Sequence, residues 1–209
     1  MNSLISTFLR QCGVAIAMLA AITVLCGVAY PAAVWAISRI GTHSAEGSQL
    51  ADSRGCDVGS SLIGIDPQVK AGQPDPYLHA RVLGSSSDPM ATGDPSASAA
   101  SNLGPNSSEL AKWIEARRAA IGTREGVPPT AVPTDAVTGS GSGLDPDISV
   151  AYADLQIPRL ARENHLSEQQ VRSVIERNTS GRQWGFLGQQ RVNVLKVNLA
   201  LGHTVPVCK

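Results

Sequence analysis

From Gly13 to Ile37 the chain carries no charged residue, and this run exceeds the roughly 20 residues that a helix needs to cross a hydrocarbon core. It reads as a membrane helix. A cleaved leader would have an apolar region of about 7–15 residues before a small-residue site. This run is longer and continues through Pro31 and Trp35, so an uncleaved anchor is expected, with Ala32 and Ala33 the stretch a leader would use instead. Tyr30 and Trp35 suit the interfacial end, where amphipathic rings sit. Pro31 is tolerable there because the donor it removes is near water. Arg10 on one flank stands against Arg39 and Arg54 on the other, so charge counting does not orient the span.

The 209 residues suffice for this anchor and one globular unit. Seventeen basic residues balance seventeen acidic ones, which argues against a general polyanion binder. Cys12 and Cys26 fall in or beside the apolar run and act as small apolar residues. Cys56 and Cys208 remain for the soluble part, as one disulfide or as two thiols. There is no Cys-x-x-Cys pair and the four histidines, His43, His79, His165 and His203, are scattered, so no metal site is expected.

Beyond the anchor, Gly41–Gly59 is a polar connector. Leu62–Ile65 and Tyr77–Val82 suggest two short strands or extended segments between Pro and Gly punctuation. Residues 85–104 are too poor in bulky apolar groups to fill a core and read as a surface loop. A helix capped by Ser107 carries Leu110, Trp113, Ile114, Arg117 and Ile121, and Gly122 should end it. Ser149 caps a second helix that Pro158 should break, kink or restart. A third follows the capping box Ser167-x-x-Gln170 and buries Val171, Val174 and Ile175. Leu195, Val197, Leu199 and Leu201 alternate with polar or small residues as in a half-buried strand. The fold class is α+β: one transmembrane helix followed by a single mixed domain.

Two segments carry possible chemistry. Pro158–Asn178 has the pattern of a helix-turn-helix, with Arg162, Arg172 and Arg177 placed for phosphates. A membrane-tethered DNA-binding or sensor protein is therefore the alternative function, although zero net charge and the common occurrence of paired helices favour plain packing. Gly139–Asp145 is a glycine-built loop able to bring its backbone close to an anion. It lacks the lysine of a phosphate-binding loop, so a tight turn is the simpler reading. Asp145 and Asp147 could share a site, but no catalytic constellation is evident.

The elements GSSLIG (59–64), SNLGP (101–105), VTGSGSGLDPDIS (137–149), QIPRLAREN (156–164) and GFLGQQRVNVLKVNLAL (185–201) occur in order behind one N-terminal anchor. In this the chain resembles, over nearly its whole length, the C subunit of the Kdp potassium-transporting P-type ATPase, the KdpC family. Family positions after LIG and around an aromatic-His-Pro-Arg-Pro element differ here: Ile65 and Pro67 follow LIG, and the second element is only Tyr77-Leu78-His79-Ala80-Arg81.

The resemblance implies a non-catalytic accessory subunit of a high-affinity, ATP-driven potassium uptake complex. Its partners would be a channel-like potassium-selective subunit, an ATP-hydrolysing P-type pump subunit and membrane lipid, with no nucleic acid. Residues 1–10 would be a cytoplasmic stub, 11–38 the transmembrane helix, 39–58 a connector, and 59–209 a domain outside the cytoplasm in a bacterial cell membrane. The family is described as a catalytic chaperone that raises the pump's ATP affinity. Carried over, this makes Ser140, Ser142 and Gln156 the candidate nucleotide contacts, with ATP shared with the pump subunit and no metal or organic cofactor held by this chain. An external domain that covers the channel mouth, with Asp145 and Asp147 biasing cations, is the physical alternative.

Overall fold

The computed structural model describes residues 2–70 and 72–204. It divides into two compact units, one ending at Ser48 and the other beginning at Gln49.

The first unit is helical from Ser3 to Ala45. α1 (Asn2–Val24) passes through a π-helical turn, Leu25–Ala29, into α2 (Tyr30–Ser38). The wider turn lies just before Pro31, whose ring would press on the carbonyl four residues back in a regular helix. A 3-10 turn, Arg39–Gly41, then leads to α3 (Thr42–Ala45). Arg39 stacks over Trp35 at 5.7 Å and pairs with Glu46 at 3.0 Å.

The second unit opens with the antiparallel pair β1 (Gln49–Ala51) and β2 (Asp57–Ser60). Cys56, beside this hairpin, is buried and disulfide-bonded, while Cys208 lies outside the described residues. After a long irregular stretch come α4 (Ser108–Glu125), α5 (Thr134–Val137), β3 (Asp147–Ile148), α6 (Val150–Glu163) and α7 (Glu168–Arg177). They are followed by β4 (Thr179–Ser180), β5 (Arg191–Asn193) and α8 (Val194–Ala200). The small sheet has the order β3-β5-β4, antiparallel throughout. Helices and small sheets together make the expected α+β class.

The caps form as the sequence predicts. Ser107 accepts from the Leu110 amide, Ser149 from the Tyr152 amide, and Ser167 and Gln170 complete a reciprocal box. Leu78, Ile121, Val137, Tyr152, Ile157, Leu160, Val171 and Val197 are buried in one core. Arg117 lies in the interior at 1% exposure. It donates to the carbonyls of Leu83, Pro89 and Val137 at 2.8–3.0 Å and sits 5.3 Å from the Trp113 ring. One guanidinium thus fixes the irregular Leu83–Pro89 stretch and the end of α5 to α4.

Three local expectations are corrected. Gly122 does not end α4; the helix runs on to Glu125 and closes at Gly126, in the left-handed region at φ 71°. Gly122 instead provides clearance, since a Cβ there would lie 2.8 Å from the Val127 carbonyl oxygen. Pro158 neither breaks nor restarts α6, which continues to Glu163, so of the three expected effects only a kink is compatible with the helix. Leu195–Leu201 is not a strand: Asn193 caps α8 by accepting from the Lys196 amide at 3.1 Å. Val194, Val197 and Asn198 are its buried face, a helical spacing that the period-2 alternation mimicked over so short a stretch.

Candidate functional site

The second unit carries an apolar groove of about 510 Å³ between the β1–β2 hairpin and α8. Ile63, Gly64, Ile65 and Pro67 line it with Val194, Leu195, Leu199, Tyr77 and His203. Leu62, Ile63 and Ile65 are exposed although apolar. His203 packs against Tyr77 at 4.4 Å between ring centroids. Burial holds the His203 imidazole below its ordinary value, with its bond to the Pro76 carbonyl opposing the shift.

Behind the groove, three of the sequence elements meet. The Gly64 amide donates to the Leu144 carbonyl at 2.8 Å, and a Cβ at Gly64 would collide with the Asp145 backbone. Asn193 donates to the Ser61 carbonyl at 2.9 Å and to Asp147 at 3.2 Å. Arg81 clasps both ends of the glycine-rich loop, bonding Asp145 at 2.9 Å and the carbonyls of Thr138 and Gly139 at 2.7–3.2 Å. Asp145 therefore has Arg81 as its counter-charge, and Asp147 has Arg191 at 2.9 Å. Neither aspartate is a bare negative charge facing solvent, which weakens any pull on cations.

The candidate residues separate. Ser140 and Ser142 lie together on the loop, their hydroxyl oxygens 3.3 Å apart, and Ser142 also accepts from the Leu144 amide. Gln156 is wholly buried in α6. Its oxygen accepts from the His79 amide at 2.8 Å and from Arg159 at 2.9 Å, while its nitrogen donates to the carbonyls of His79 and Tyr152. All four hydrogen-bonding positions of the amide are occupied internally.

Sequence reading missed the buried ionic node around this amide. The His79 ring places Nδ1 3.0 Å from Asp66 and Nε2 2.8 Å from Asp75. Arg159 reaches Glu125 at 3.0 Å, Asp75 at 3.4 Å and two backbone carbonyls, and Arg124 binds Glu125 and the Tyr152 hydroxyl. Burial alone would raise the Asp75 carboxyl, but the His79 hydrogen bond and the His79 and Arg159 charges hold it below the usual value. Burial pushes the Tyr152 phenol up to about 12. The node is closed and internally paired, as structural charge must be in an interior. Among the described residues no group of three or more potential ligands could hold a metal ion.

A family model for the K+-transporting ATPase c chain, KdpC, matches residues 12–203. The chain belongs to the KdpC family. It is 41% identical over 207 residues to the potassium-transporting ATPase KdpC subunit of Kineococcus radiotolerans, covering 99% of this chain and 100% of that one. The KdpC subunit of Streptomyces avermitilis is 38% identical over 221 residues, covering 98% and 99%, and that of a Janthinobacterium 42% over 191 residues, covering 90% and 95%. KdpC membership leaves the DNA-binding alternative without support. In the helix pair that suggested it, Val171, Val174 and Ile175 are buried in the core and Arg172 pairs with Asp154 at 2.9 Å.

Proposed function

We propose that this chain is a non-catalytic accessory subunit that assembles and stabilises an ATP-driven potassium uptake complex. Its partners in this reading are a channel-like potassium-selective subunit and the ATP-hydrolysing pump subunit. The observation that carries the reading is the apolar helix from Ser3 to Ala45, long enough to cross a membrane and without a buried residue in its most apolar window. An apolar helix left unburied among the described residues must find lipid or another subunit. Gly13, Ala17, Ala20 and Gly27 lie at spacings that repeat on one helical face, where small side chains let another helix approach closely. The N-terminus is inside and the second unit outside the cytoplasm, a placement supported by the disulfide at Cys56, since such bonds persist in oxidising compartments.

A chaperone action on the pump's ATP affinity, with ATP shared between subunits, would rest on Ser140 and Ser142. Gln156 could join them only by giving up its bonds to His79. Two measurements test the reading. The full chain should co-purify with the other two subunits in mild detergent, and recovery of the chain alone would sink the assembly role. Ser87→Cys, on an exposed loop, should react with an impermeant maleimide in intact cells; reaction only after permeabilisation would overturn the external placement.

A further inference from the structure

The β4–β5 hairpin is the chemical outlier of the second unit. Its tip carries Trp184, Phe186 and Leu187, which are 85%, 68% and 44% exposed. The tip is nevertheless a defined turn. Gln183 and Leu187 exchange two backbone hydrogen bonds of 2.9 Å, and the Gly185 amide bonds the Arg182 carbonyl at 3.2 Å. Trp184 is held at φ 52°, a conformation that bulky residues rarely adopt and that strains the backbone. Burial would hide about 150–250 Å² of each aromatic ring from water, yet this turn points both outward.

The hairpin and its flanks are basic. Arg182 and Arg191 lie in the hairpin, Arg177 ends α7 before it and Lys196 lies in α8 after it, and after Glu176 the sequence contains no further aspartate or glutamate, in a chain whose total charge is zero. Arg177, Arg191 and Lys196 line one polar depression at the hairpin's base together with Asp147, which already pairs with Arg191. Exposed aromatic tip and cationic base form the pattern by which a protein surface settles at a bilayer interface: rings enter at headgroup level while cations meet anionic lipid. Between the end of the anchor helix at Ala45 and the first strand at Gln49 lie only Glu46, Gly47 and Ser48, so covalent connectivity keeps this unit close to any bilayer that the helix spans.

We propose that the Trp184–Leu187 turn is a membrane-docking element that inserts into the interface of an anionic bilayer, with Arg177, Arg182 and Lys196 on lipid phosphates. This goes beyond the accessory role and requires only that the anchor span a membrane. The test compares the full chain with Trp184→Phe in vesicles of brominated lipid, of phosphatidylglycerol or phosphatidylcholine, so that the difference emission isolates Trp184 from Trp35 and Trp113. Bromolipid should quench that emission, more strongly in phosphatidylglycerol, and Arg182→Gln with Lys196→Gln should abolish the preference. Three results would overturn the proposal: emission open to acrylamide and insensitive to bromolipid; equal quenching in both lipids; or shielding from both quenchers that arises only with the other subunits present, which would assign the turn to a protein contact. Co-purification is read separately, so failure here leaves the assembly role standing.

Discussion

Gln156 and His79 grip each other in both directions: the glutamine oxygen accepts from the His79 amide at 2.8 Å and its nitrogen donates to the His79 carbonyl at 3.2 Å. Asn198 does the same for Leu78, at 2.7 and 2.9 Å, and Asp66 accepts from the Ala80 amide at 2.7 Å. The extended Leu78–Ala80 backbone thus meets a ladder built from side chains of α6, α8 and a loop. Buried peptide groups need partners, and here two amides supply what a neighbouring strand would.

Gln156→Leu should therefore act on stability first. It strands the amide and carbonyl of His79 in the interior, at about 1–3 kcal/mol for each unsatisfied group. For a unit of this size that lowers Tm by roughly 4–24 °C, measurable by circular dichroism on the purified chain. An unchanged Tm would mean the pairing contributes nothing.

Ser140→Ala with Ser142→Ala is the complementary experiment. Both serines lie on a loop, and their described hydrogen bonds are to each other, to the Leu144 amide and, through the Ser142 carbonyl, to Ser98. The pair should shift stability by about 1 kcal/mol or less. Any change in the ATP dependence of the assembled pump would then report contact, not unfolding. Unchanged ATP affinity would remove the nucleotide role from this loop.

Much of the helical frame was legible because its causes are local: an uncharged run and three serine caps, one of them a capping box, all act within a few residues. The parts that escaped are set by partners distant in sequence. Asn198 meets Leu78 across 120 positions and Arg159 meets Glu125 across 34, and no spacing rule announces either. α8 was misread because Leu195, Val197, Leu199 and Leu201 alternate, while the cap that decides the matter, Asn193, precedes the pattern. The carried-over nucleotide set joined two loop serines to a buried glutamine, since burial cannot be inferred from motif membership.

Arg117→Met keeps the long apolar stem but removes every donor, leaving the carbonyls of Leu83, Pro89 and Val137 without their shared partner. The expected loss is about 3 kcal/mol or more, seen as a lower midpoint in urea. Arg117→Lys should fall between, because an ammonium cannot span three divergent acceptors as a planar fork does.

Acidification should weaken the second unit in two steps. The His203 imidazole is held below 6.5 in the fold by burial, so the unfolded chain takes up its proton first. That contribution is complete above pH 6.5 and is lost as pH falls from there through the lower folded value. The Asp75 carboxyl is held below 3.8, so its contribution is complete above that pH and is lost as pH falls further. His203→Asn should flatten the upper step alone in a Tm-against-pH series, leaving the lower one to the ionic node.

The anchor helix offers the cleanest separation of folding from assembly. A Cβ at Gly13 would meet nothing within 4 Å among the described residues outside its own helix turn, so Gly13→Leu starts from open space in the isolated subunit and raises helix propensity. Its only cost arises if another helix packs there, where overfilling a close contact typically costs about 1–3 kcal/mol. Since each 1.4 kcal/mol is tenfold in affinity, recovery of the other subunits should drop by roughly 5- to 150-fold while the chain's own helicity in detergent is unchanged. Full recovery with Gly13→Leu would mean that this face meets lipid, and that assembly runs through the second unit instead.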